Sequence, residues 1–124
     1  MAGGPTTRRT LLVIDDDPSW RSLYRLEFGD RFQVVEATDG LEGLEQLERT
    51  GPDLVILDLC MPGMDGARFL ASLESRRHNP PVIVCTAHEI EARRLVRSPV
   101  RIVPKSPDLT ALSEAIESLA KRRA

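Results

Sequence analysis

Three runs of four consecutive apolar residues punctuate the chain: Leu11-Leu12-Val13-Ile14, Leu54-Val55-Ile56-Leu57 and Val82-Ile83-Val84-Cys85. Turn-forming, polar or charged residues bound each run, and unbroken runs of this length suit strands covered on both faces. Two further segments are mixed. Residues 32–37 carry Gln33 and Glu36 beside Phe32, Val34 and Val35, and residues 100–103 carry Arg101 between Val100 and Ile102. A polar side chain inside the run fits a sheet edge, where one side is less covered.

Between these runs the apolar spacing becomes helical. Asp17 and Pro18 open a first helix as N-cap and first helical residue, and Trp20, Leu23, Leu26 and Phe28 give its apolar side before Gly29. A second follows Asp39-Gly40, carries Leu41, Leu44 and Leu47, and stops at Thr50-Gly51-Pro52. The third starts near Asp65-Gly66 with Phe69, Leu70 and Leu73, and a short charged fourth covers about 89–96. The fifth takes Ser106 as its cap, then Pro107, with a stripe of Leu109, Leu112, Ile116 and Leu119. Lys121, Arg122 and Arg123 sit at its C-terminal end, where the helix dipole favours cations.

Five strands alternating with five helices predict an α/β, doubly wound parallel sheet. The three unbroken strands belong in its middle and the two mixed ones at its edges. The flavodoxin-like (βα)5 order 2-1-3-4-5 satisfies both demands. In that order the connections reverse direction between strands one and three, and ligands of open α/β sheets bind there, at the carboxyl ends of the strands.

Composition narrows the choice. The 124 residues make one domain, and 17 Lys and Arg against 19 Asp and Glu give a net charge of −2. A nucleic-acid-binding surface needs a basic excess that this balance lacks. No stretch is apolar enough to span a bilayer, and the polar start over 1–9 has no signal-peptide core. Cys60 and Cys85 form neither a disulfide framework nor a zinc site, so a cytoplasmic setting is expected.

The predicted strand ends carry the chemistry. Asp15, Asp16 and Asp17 follow strand one, Asp58 strand three, Thr86 strand four, and Pro104 and Lys105 strand five. Asp17 reads as a cap. Asp15, Asp16 and Asp58 would stand side by side, and carboxylates that close repel unless positive charge intervenes. A hard divalent cation with oxygen ligands is the natural partner. Mg2+ fits, because it takes one or two carboxylates and keeps waters and room for a phosphate oxygen. With the Lys105 ammonium and the Thr86 hydroxyl, these are the parts needed to receive and hold a phosphoryl group. Alone, each residue has an ordinary reading as a solvated loop, a β-branched strand position or a surface charge; their joint placement is the signal.

Three segments make a more specific match: Leu11-Leu12-Val13-Ile14-Asp15-Asp16-Asp17-Pro18, the loop Asp58-Leu59-Cys60-Met61-Pro62-Gly63-Met64-Asp65-Gly66 with its preceding strand, and Val82-Ile83-Val84-Cys85-Thr86-Ala87. Through them the chain, from about Thr10 to Ala120, resembles the receiver domain of two-component response regulators. The resemblance implies that Asp58 is the phosphoacceptor, attacking the phosphorus of a phosphohistidine or a small acyl phosphate. It implies that Asp16, Asp58 and the Cys60 carbonyl bind Mg2+, that Asp15 reaches the metal through water, and that Thr86 and Lys105 contact the phosphoryl oxygens. The implied partners are a histidine kinase or phosphotransfer protein and a downstream effector or output domain, with a weak dimer left open. The resemblance also implies that no external substrate is turned over. It places the receiver at residues 10–121, with a flexible segment expected over 1–9 and a tail over 122–124. The chain's length implies either a free-standing receiver or one cut from a longer protein.

Four departures from the family pattern carry expectations of their own. Ile102 stands where the family often has an aromatic switch residue, so rotation of a Tyr or Phe cannot be the readout. Lys105-Ser106-Pro107 replaces a lysine followed directly by a cis proline. A cis bond before Ser costs far more than one before Pro, so either a trans bond with a shifted loop or a strained cis bond is expected. The stretch from Thr86 to Lys105 is short by about one helical turn and contains Arg97-Ser98-Pro99, which predicts a truncated fourth helix. Cys60 and His88 take the variable positions flanking the pocket.

Other functions fit less well. A phosphatase with an Asp nucleophile wants a second Asp where Cys60 stands, and a flavin phosphate would be repelled by three aspartates. A degenerate receiver that acts only by docking is the remaining alternative. Carboxylate neighbours raise a thiol pKa and argue against a redox role for Cys60. Trp20 reads as a packing residue near the acidic pair and a fluorescence probe of metal binding.

Overall fold

The computed structural model of the chain describes residues 8–59, 66–76, 79–96 and 100–123. Most of the segment 1–9 expected to be flexible, and Cys60 with it, lie outside the described residues. The strands are β1 (Arg9–Ile14), β2 (Phe32–Ala37), β3 (Leu54–Leu57), β4 (Val82–Thr86) and β5 (Arg101–Pro104). The helices are α1 (Pro18–Phe28), α2 (Gly40–Thr50), α3 (Gly66–Glu74), α4 (Glu89–Leu95) and α5 (Thr110–Arg123). The sheet is parallel, in the order β2-β1-β3-β4-β5, with the two mixed strands at its edges.

Alternation along each strand divides the core in two. Leu11, Val13, Ile56, Ile83 and Cys85 face α1 and α5, where Tyr24, Phe28, Leu112 and Ile116 close over them. Leu12, Ile14, Val55, Leu57 and Val84 face the other way, onto Leu47, Phe69, Leu73 and Ala92 of α2, α3 and α4. β1, β3 and β4 are buried on both faces, which is why their sequences show no alternation.

Several expected details are corrected. In α1 the buried residues are Tyr24 and Phe28, with Trp20 and Leu23 packed against them, while Leu26 is 82% exposed. Four-residue steps from Trp20 drift about 40° each round the helix and stay on the sheet side, whereas three-residue steps drift about 60° the other way and carry Leu26 out. Leu41 is exposed for a similar reason, and Gly40, Gly43 and Leu47 form the buried side of α2. The fifth helix starts four residues after Ser106. Asp108 Oδ1 accepts from Thr110 N at 3.0 Å and holds its first turn, while Ser106 Oγ accepts from Asp108 N at 3.2 Å in the preceding bend. Hydrogen bonds donated by the Thr110 hydroxyl and by Thr110 N lower the Asp108 pKa. Among the described residues every peptide bond is trans, Lys105–Ser106 included, and α4 has only seven residues.

Candidate functional site

The crossover sets the acidic groups side by side. Ile14 pairs with Leu57 at the ends of β1 and β3, and Asp58 N donates to Ile14 O at 3.0 Å. Asp15 N donates to Ala37 O at 3.1 Å on the other side. Asp15 and Asp58 therefore leave the sheet as neighbours, and both are buried. Asp16 is exposed, yet one carboxylate oxygen from each of Asp15, Asp16 and Asp58 lies within 4.8 Å of the others. Asp17 is the N-cap, its Oδ1 accepting from Ser19 N at 2.8 Å.

The opposite flank is fixed by the end of the β4–β5 ladder, where Lys105 N donates to Thr86 O at 2.8 Å. Lys105 Nζ then reaches Asp15 Oδ2 at 2.8 Å and Asp58 Oδ2 at 3.0 Å, with the centre of the Trp20 ring 5.2 Å away. Burial alone would lower the Lys105 pKa, but its bonds to the two carboxylates outweigh that and raise it. Burial raises the Asp15 pKa, against the lowering effect of Lys105 and of Asp17 N, which donates to Oδ1 at 2.9 Å. The ammonium is thus held protonated, while at the Asp15 carboxyl the cost of burial is only partly offset. Thr86 is buried at the end of β4, and its Oγ1 accepts from His88 N at 3.0 Å, at the entrance to α4.

Residues 11–117 match the response regulator receiver domain model. The chain belongs to that family. The receiver is 35% identical over 116 residues to the transcriptional activator protein PfeR of Pseudomonas aeruginosa, covering 90% of this chain and 38% of that protein. It is 40% identical over 83 residues to the positive alginate biosynthesis regulatory protein of the same organism, 64% of this chain and 34% of that protein. The receiver thus spans little more than a third of these curated relatives. Among solved structures it is similar to response regulator protein TrrA of Thermotoga maritima in complex with Mg2+-BeF. The TM-score is 0.77 at 27% identity, over 90% of this chain and 98% of that one.

The receiver brings together Asp15, Asp16 and Asp58, with Lys105 bridging two of them, and sets Thr86 beside Lys105 through the backbone. Three supporting residues, Arg21, Arg25 and Glu36, escaped the sequence reading as part of the site. Arg21 Nη1 donates to Asp15 O at 2.7 Å, and its Nε pairs with Glu36 at 3.0 Å on β2; Arg25 pairs with the same carboxylate. An Arg one turn behind the cap and a Glu inside an apolar strand are the only sequence traces of this clamp. Ile102 is half-buried and packs against the core beneath α4. Burial pushes the Tyr24 phenol and the Cys85 thiol up, so both stay protonated, 3.4 Å apart. A cleft of about 420 Å³ between α1 and α5, and another of about 380 Å³ between α3 and β5, lie away from the carboxylates.

Proposed function

We propose that Asp58 accepts a phosphoryl group, with Asp15, Asp16, Thr86 and Lys105 as the supporting set, and that residues 10–121 act as the signalling unit. The observation that carries this reading is three carboxylates converging within 4.8 Å while two of them share one ammonium. Such a donor set is hard, anionic and under-neutralised, which fits a divalent cation of the Mg2+ type. When bound by Asp15, Asp16 and Asp58, Mg2+ supplies positive charge against the phosphoryl oxygens.

An oxygen of Asp58 forms a bond to phosphorus as the P–N bond of a phosphohistidine, or the P–O bond of an acyl phosphate, breaks. The electron pair leaves with the imidazole, which takes up a proton, or with the released carboxylate. Lys105 neutralises charge gathering on the phosphoryl oxygens. Thr86 donates its hydroxyl to one of them, and its Oγ1 then turns away from His88 N. That exchange connects the chemistry to α4, which a partner reads. A histidine kinase or phosphotransfer protein is the donor, and an effector or output domain is the listener. We assign the exchange to the cytoplasm on the receiver reading. No helix among the described residues is long and apolar enough to cross a membrane.

Incubation with acetyl phosphate and Mg2+, followed by intact mass, tests the assignment. One phosphoryl adduct is expected on the wild type and none on Asp58→Asn. Equal labelling of both removes Asp58 as the nucleophile.

A further inference from the structure

Lys105 has two carboxylate partners and a third neighbour, the Trp20 ring, whose centre is 5.2 Å from Nζ. An ammonium has three N–H groups and the carboxylates account for two, so the π face offers electron density to the remainder of the charge. The side chain of Lys105 is only 10% exposed, and such an attraction is strongest where water is excluded.

The ring is held from behind. Trp20 lies against Tyr24 with centroids 5.9 Å apart, and Tyr24 stacks on Phe28 at 6.5 Å. Tyr24 in turn meets Cys85, the residue before Thr86. A column at i, i+4 and i+8 of α1 thereby links the core to the ammonium. A leucine would satisfy the packing demand at a half-buried position on this face, as Leu23 does one step away. Only an aromatic ring also satisfies the charge.

We propose that Trp20 is a positioning residue for phosphoryl transfer: its indole face keeps the Lys105 ammonium over the pocket when Asp15 and Asp58 turn to other partners. The inference rests on the reading of Asp58 and Lys105 given above. A phosphoryl group and a cation both draw the two carboxylates away from Nζ, and the ring is the contact that neither displaces.

Acetyl phosphate labelling at saturating Mg2+ tests this in Trp20→Tyr, Trp20→Phe and Trp20→Leu, each made with Lys105 and with Lys105→Met. Trp20→Leu is expected to slow labelling about fivefold, with Tyr and Phe within about twofold of wild type. In the Lys105→Met background the Leu effect disappears. A Leu variant as fast as wild type, Tyr and Phe as slow as Leu, or the same Leu defect in both backgrounds would overturn the proposal. Trp20→Met, which keeps apolar bulk against Tyr24, replaces Leu if that variant does not fold. Independently of labelling, Lys105→Met is expected to change Trp20 emission in metal-free protein, and an unchanged spectrum also overturns the contact. A wild type that takes no phosphoryl group fails the assignment of Asp58 instead, a different result from normal labelling in every Trp20 variant.

Discussion

Removing the ammonium of Lys105 while keeping its stem asks whether charge or packing holds the pocket together. Lys105→Met retains an unbranched apolar chain of similar reach and deletes the group 2.8 Å from Asp15 Oδ2 and 3.0 Å from Asp58 Oδ2. At an effective dielectric of about 20 those two attractions are each roughly 5–6 kcal/mol before desolvation is subtracted. What remains is a pair of carboxylates, 3% and 8% exposed in their side chains, facing each other. Breaking a buried pair by deleting one partner costs about 3–5 kcal/mol, and a site at the rim of the sheet belongs at the low end, about 3 kcal/mol at pH 7 without metal. Urea unfolding followed by Trp20 fluorescence measures it. The deficit shrinks in two ways. Excess Mg2+ restores positive charge to the carboxylates, and acid protonates Asp15, whose pKa burial already raises, so the variant recovers toward wild type as pH falls. In the wild type the raised Lys105 pKa means that its contribution is complete below the unfolded value of 10.5 and is lost as pH rises through the folded one. An equal deficit at neutral pH, in acid and with Mg2+ would refute the electrostatic account and leave only the stem's packing on Trp20.

Asp15→Asn is expected to stabilise the metal-free protein at neutral pH. The raised folded pKa of Asp15 means that its favourable contribution is complete below the unfolded value of 3.8 and is lost as pH rises through the folded one, a loss the amide escapes; a variant less stable than wild type in neutral urea titrations would reverse the sign. Gly66→Ala places a Cβ 2.5 Å from Leu59 Cα and 2.9 Å from Asp58 O, backbone atoms that cannot yield, so it should cost about 2 kcal/mol and slow labelling of Asp58. Thermal unfolding and the labelling rate both at wild-type values would refute that close approach.

The strand order was readable because burial leaves a periodicity. Unbroken runs at 11–14, 54–57 and 82–85 demand cover on both faces, and Glu36 and Arg101 push their strands to the edges. Once the order is set, Asp15, Asp58, Thr86 and Lys105 must share a rim, so local pattern and topology together brought the site into view. The losses have a common cause. Leu26 and Phe28 are equally apolar in the sequence, and the accumulated turn of α1 against the sheet decides which is buried. Ser106 and Asp108 both offer capping oxygens, and the choice follows from Leu109 having to reach the core just before the helix begins. Trp20 over Lys105 and Arg21 on Glu36 are pairings across long stretches of chain, and no spacing rule encodes them.

If Asp58 carries the phosphoryl group proposed above, its route to a change of shape runs through the weakness of the element beside it. α4 has seven residues, Ala92 is its buried member, and Ile90 and Leu95 face solvent at 72% and 57%. A helix that short is not self-sustaining, and its place is set by the turn that leads into it. That turn is held by Thr86 Oγ1 accepting from His88 N, and no side chain caps the helix at His88. A hydrogen bond between neutral groups contributes about 1 kcal/mol, whereas one to a charged oxygen contributes about 1.5–3 kcal/mol. In the proposed reading, swinging Thr86 Oγ1 toward a phosphoryl oxygen exchanges a bond it accepts from His88 N for one it donates to a charged oxygen, a net gain on the order of 1 kcal/mol, enough to shift a two-state equilibrium about fivefold. An aromatic lever at position 102 is not required for that step, because Ile102 and Ala92 belong to one apolar cluster and a displaced α4 changes the packing at both.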